Sequence, residues 1–152
     1  GPADGTARPD RTDESKTGRA TEALSGAQVL IVDDDVRLVT ALTHVLGRAG
    51  MSVLHAANGA EGIEALARHP QVSLVLMDIM MPVMDGYEAM RAIRSDPRHA
   101  DLPIIALTAK VIAGEREKAI AAGANEYVHK PADVNLLLSV ARDLLDTDGA
   151  EE

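Results

Sequence analysis

The stretch VLMDIMMPVMDG, residues 75 to 86, decides how this chain folds. Its apolar run reads as a strand buried on both faces, and it ends on one carboxylate, Asp78, before a Met-Met-Pro turn. An unpaired ion is costly in apolar surroundings, so Asp78 must reach a crevice, a metal or a partner.

Outward from Asp78 the chain alternates strand and helix patterns. QVLIV (28 to 32), SVLHA (52 to 56), SLVLMD (73 to 78), LPIIALT (102 to 108) and EYVHK (126 to 130) read as strands. VRLVTALTHVLGRAG (36 to 50), AEGIEALARH (60 to 69), GYEAMRAIRSD (86 to 96), AGEREKAIAAG (113 to 123) and DVNLLLSVARDLL (133 to 145) carry helical spacing. Gly50 and Gly123 close two of these helices and Pro70 stops another. Strands separated by helices of this length imply right-handed parallel crossovers, hence an α/β, doubly wound fold with a five-stranded parallel sheet and five helices.

Residues 27 to 146 form the expected domain. Residues 1 to 26 are polar, with almost no large apolar side chain, and read as a disordered linker or cloning remnant, and residues 147 to 152 as a short acidic tail. The chain has no cysteine, no Phe, no Trp and two Tyr, so disulfides, thiolate metal sites and base-stacking platforms are excluded. A net charge of -9 opposes direct binding to nucleic acid or anionic lipid. No apolar stretch approaches the roughly 18 to 20 residues of a membrane span.

In an open parallel sheet the functional crevice lies beyond the carboxyl ends of the strands. Here those ends carry Asp33, Asp34 and Asp35, then Asp78, Thr108, and Lys130 followed by Pro131. Converging carboxylates repel one another, and a divalent cation held by oxygen ligands removes the conflict. Oxygen-only donors favour Mg²⁺, with Mn²⁺ an acceptable substitute, over zinc. Together these parts suit phosphoryl transfer to an aspartate.

VDDD (32 to 35), MDIMMPVMDG (77 to 86), LTA (107 to 109) and YVHKP (127 to 131) fall in the order and on the strand ends of a known family. Residues 28 to 145 resemble a response regulator receiver domain of two-component signalling, most of all one attached to a hybrid sensor histidine kinase. The resemblance implies a flavodoxin-like strand order, 2-1-3-4-5. It also implies that Asp78 accepts a phosphoryl group from a phosphohistidine. Asp34 would bind Mg²⁺ directly, Asp33 mainly through water, and the Met80 backbone carbonyl would add a ligand. Lys130 and Thr108 would hold phosphoryl oxygens, the small Ala109 would leave access, and a cis bond before Pro131 would fix Lys130. Tyr127 would change rotamer as Thr108 moves inward, altering the surface of the fourth helix, fifth strand and fifth helix.

The expected partners are a histidine kinase or histidine phosphotransfer domain and a downstream protein, in the cytoplasm, with any output domain outside this sequence. The domain would not be a turnover enzyme by itself. Two alternatives are a Mg²⁺-dependent aspartyl-phosphate phosphatase and an interaction module that no longer takes phosphate. The phosphatase would carry an acid two residues beyond the nucleophile, where this chain has Met80.

Blander roles accompany these. Asp35 is assigned to a helix N-cap, the methionines to core and turn packing, and His44, His55, His69, His99 and His129 to surface or packing positions, since they do not cluster. Residues 114 to 118, GEREK, read as a solvated helix face.

Overall fold

The computed structural model describes residues 24–81, 84–109, 112–130 and 134–150, with side chains described to residue 146. Strands β1 (Gln28–Val32), β2 (Ser52–Ala56), β3 (Leu74–Asp78), β4 (Ile104–Thr108) and β5 (Glu126–His129) alternate with five helices. These are α1 (Val36–Arg48), α2 (Gly59–Arg68), α3 (Gly86–Arg94), α4 (Glu115–Ala122) and α5 (Val134–Ala150). All strand pairs are parallel, in the order β2-β1-β3-β4-β5. This is the expected flavodoxin-like, doubly wound sheet.

Alternation along the strands divides the core in two. Leu30, Val32, Val75, Met77, Ile104 and Ala106 face α2, α3 and α4, whereas Val29, Ile31, Leu74, Leu76, Ile105 and Leu107 face α1 and α5. Every residue of β3 and β4 is buried, because helices cover both faces of the sheet there. The edge strands β2 and β5 carry the exposed His55 and His129. Register brings the carboxyl ends level: Asp78 lies opposite Leu107, and Thr108 opposite His129.

The domain differs from expectation at both ends. Leu24, placed in the linker by composition, is buried against the α1 side of the core, and the Gly26 amide donates to the Gly50 carbonyl at 2.9 Å. One leucine in a polar run has no periodicity to reveal it. At the other end α5 continues to Ala150, through residues assigned to the acidic tail. Residues 146 to 150, DTDGA, contain no proline, and Gly149 alone weakens a helix by only about 1 kcal/mol. Residues 1 to 23, 151 and 152 lie outside the described residues.

The turn after β3 depends on close approach. A Cβ on Gly86 would lie 2.5 Å from the Asp78 carbonyl oxygen and 2.5 Å from the Ile79 Cα, both backbone atoms that cannot rotate away. With Asp85 capping α3 through the Glu88 amide at 2.9 Å, this contact seats the helix directly on the end of β3. Gly86→Ala should therefore lower the unfolding free energy by about 2 kcal/mol in urea titrations. A change under about 0.5 kcal/mol, the range of ordinary surface substitutions, would show that the turn relaxes freely.

Candidate functional site

Three strand ends supply the site. β1 delivers Asp33, fully buried, and the exposed Asp34; β3 delivers Asp78, 2% exposed; β4 delivers Thr108, 1% exposed. Oxygen atoms of Asp33, Asp34 and Asp78 all lie within 4.8 Å of one another. Lys130, just beyond β5, reaches across the sheet: its ammonium donates to Asp33 Oδ2 at 2.8 Å and lies 3.4 Å from Asp78 Oδ2. That ammonium neutralises part of a charge cluster that burial would otherwise make very unfavourable.

Backbone donors fix the carboxylates. The Asp35 amide donates to Asp33 Oδ1 at 2.8 Å and the Met80 amide to Asp78 Oδ1 at 3.0 Å. Asp35 itself caps α1, accepting from the Arg37 and Leu38 amides, as expected of it. His55, assigned from the sequence to a surface or packing position, donates from Nε2 to the Asp33 carbonyl at 2.8 Å and so braces the β1 end. Its place opposite Ile31 on an adjacent strand becomes visible only once strand order is known.

The donor set fits a hard divalent cation: carboxylate oxygens only, one of them on the exposed Asp34, with no nitrogen or sulfur ligand in the cluster. Ala109 is exposed, and together with Lys130, Asp35, Arg37, Leu38 and Ala41 it lines a cleft of about 540 Å³ beside α1. Pro131 and its peptide bond lie outside the described residues, as does Lys110.

One acid was missed. Glu115, the first residue of α4, is half-buried, and its Oε1 accepts from the Tyr127 hydroxyl at 2.6 Å and from Thr108 Oγ1 at 3.1 Å. The solvated-face reading of GEREK therefore holds for Arg116, Glu117 and Lys118, which are exposed, and fails for Glu115. Arg116 pairs across to Glu126 at 3.4 Å, and the Lys118 ammonium sits 4.4 Å over the Tyr87 ring. The signal available in the sequence was position: the first turn of a helix entered from a strand's carboxyl end borders the crevice.

Burial, the largest influence, pushes the Asp78 carboxyl up from an ordinary 3.8 to about 6; the Met80 amide opposes this, the Asp33 charge adds to it and Lys130 opposes it. Burial acts to lower the Lys130 ammonium, but its hydrogen bond to Asp33 and the charges of Asp78 and Asp33 hold it above its usual value. Because the folded Asp78 binds a proton more tightly than the unfolded one, its contribution to stability is lost as pH rises from about 4 to about 6. Metal-free Asp78→Asn should therefore exceed the parent by about 2 kcal/mol near pH 7.5 and match it near pH 4, by urea unfolding in EDTA. A difference independent of pH would contradict this.

Residues 29–142 match the response regulator receiver domain family. The protein PilH of Pseudomonas aeruginosa is 37% identical over 119 residues, covering 78% of this chain and 98% of its own. The sensor histidine kinase CheAY of Helicobacter pylori is 31% identical over 137 residues, 90% of this chain but 17% of that protein. This chain spans about half the length of several other curated relatives that it matches. Among solved structures, the receiver domain of the sensor histidine kinase PA1611 from P. aeruginosa, with a magnesium ion coordinated in its active-site cleft, is 33% identical with a TM-score of 0.74. That match covers 80% of this chain and 99% of the other. With matching strand order, an acidic cluster on the expected strand ends and this similarity along most of its length, the chain belongs to the response regulator receiver domain family.

Proposed function

We propose that this domain takes a phosphoryl group from a phosphohistidine onto Asp78 in a Mg²⁺-dependent reaction, and either switches its signalling surface or passes the group on. The observation that carries this reading is the Lys130 ammonium held between Asp33 and Asp78 inside a cluster of three carboxylates. It suits a site that must accept further negative charge.

The residues divide the work by position. Asp33, Asp34, Asp78 and the Met80 carbonyl would hold the cation. Bound there, Mg²⁺ supplies the positive charge that favours ionised Asp78 and screens it from the incoming phosphoryl oxygens. An Asp78 oxygen then forms the new P–O bond as the donor's P–N bond breaks. The Met80 amide aligns that carboxylate, Lys130 exchanges its hold on Asp78 for a phosphoryl oxygen, and the Thr108 hydroxyl turns to another. Alignment and charge compensation account for most of catalysis in such transfers. Tyr127 reports the change to the outer surface.

Partners of the corresponding chemistry are a histidine kinase or histidine phosphotransfer domain, followed by a downstream protein. Similarity to receivers of sensor kinases supports an origin in a hybrid kinase. Among the described residues no helix is long and apolar enough to cross a membrane, which suits a cytoplasmic domain. The net charge of -9 disfavours direct DNA contact by this part of the chain.

Incubation with acetyl phosphate and Mg²⁺, followed by intact-mass analysis, should add one labile phosphoryl group to the parent, and none to Asp78→Asn or to the parent in excess EDTA. A folded parent that gains no group would favour the interaction-module alternative. Met80, 63% exposed and two residues beyond Asp78, cannot orient an attacking water by hydrogen bonding. The adduct should accordingly persist for minutes or longer after removal of the donor; loss within seconds would contradict this role for Met80.

A further inference from the structure

Glu115 stands where three hydroxyls meet. Its Oε1 accepts from Tyr127 and Thr108, on β5 and β4. Tyr87, on α3, is 7% exposed, and its hydroxyl is buried without a hydrogen bond among the described residues. Burial, then the Glu115 charge and the approach of its carboxylate, which stops short of a formed hydrogen bond, oppose ionisation of that phenol, pushing it up to about 12. Lys118 lies over the Tyr87 ring, so the ring is held from its face against the helix that also carries Glu115.

An unmade buried hydrogen bond costs about 1 to 3 kcal/mol, and native proteins contain few. The arrangement makes sense in a protein with a second state that satisfies it. A phosphoryl oxygen that takes the Thr108 hydroxyl removes one of the two donors from Glu115. Tyr87 is the donor waiting to replace it.

We propose that Glu115 is a two-position latch: it holds Thr108 and Tyr127 in the unphosphorylated domain, and turns to the Tyr87 hydroxyl when the phosphoryl group claims Thr108. The latch rests on the reading of Asp78 as acceptor. Glu115 is a positioning residue, competing with the phosphoryl group for Thr108 and coupling α3 to α4 once it loses. Its two oxygens offer enough lone pairs for Tyr127 and Tyr87 together. The exchange keeps the number of donors to Glu115 at two while relieving the orphaned phenol, so it favours the phosphorylated state.

Beryllofluoride with Mg²⁺ serves as the phosphoryl stand-in, its binding followed by fluorine NMR of the bound anion and folding by thermal midpoint. Tyr87→Phe should leave the free domain as stable as the parent or more so, yet weaken beryllofluoride binding by about three- to tenfold. In a Glu115→Ala background the same Tyr87→Phe change should have no effect on binding. Should Glu115→Ala not fold, Glu115→Gln takes its place, and the effect of Tyr87→Phe should shrink. An unchanged affinity in Tyr87→Phe, or equal weakening with and without Glu115, would overturn the latch. A folded parent that binds no beryllofluoride would overturn the acceptor reading, and the latch with it; that failure is distinguishable because it needs no substitution.

Discussion

The buried contact of Lys130 with Asp33 and Asp78 is the interaction on which the rest of the site depends. Two unit charges of like sign separated by 4 to 5 Å repel by about 3 to 4 kcal/mol at an effective dielectric of 20. Carboxylate oxygens of Asp33 and Asp78 lie within 4.8 Å of one another, and both residues are almost wholly withdrawn from water. An ammonium 2.8 Å from one and 3.4 Å from the other lets them share the crevice. Burial above all, with the Asp33 charge adding to it, still holds the Asp78 carboxyl above its ordinary value. That residual imbalance is useful, because it leaves the cluster receptive to a cation.

The contact is possible because the sheet is parallel and its strands end level. Lys130 comes from beyond the edge strand β5, yet meets Asp33 beyond β1, two strands past its neighbour β4. Strand register therefore governs the chemistry. The same geometry sets Thr108 on the neighbouring strand end and brings the first residue of α4 into reach of its hydroxyl. Gly86 completes the arrangement by letting α3 start against the backbone that carries Asp78.

Much of this was legible in the sequence for a definite reason. β3 and β4 are buried on both faces, so they appear as uninterrupted aliphatic runs, and each run ends on a polar residue with no structural need to be there. Asp78 and Thr108 stood out on that ground, and β1 and β2 matched their expected bounds. Leu24 was hidden because a single apolar residue has no period, and the end of α5 because nothing in DTDGA either promotes or stops a helix strongly. Glu115 was hidden differently. Within GEREK its charge pattern is that of a surface helix, and only the meeting of β4, β5 and α3 around it separates it from Glu117. Tyr87 packs in the core, apart from one oxygen.

The central claim is that one carboxylate in this acidic cluster becomes an acyl phosphate. Borohydride reduces an acyl phosphate, leaving homoserine where the aspartate stood, and peptide sequencing by tandem mass spectrometry then locates it. After treatment with acetyl phosphate and Mg²⁺, conversion should occur at Asp78 and not at Asp33, Asp34 or Asp85. Conversion at one of those other aspartates, or at none in folded protein, would contradict the account.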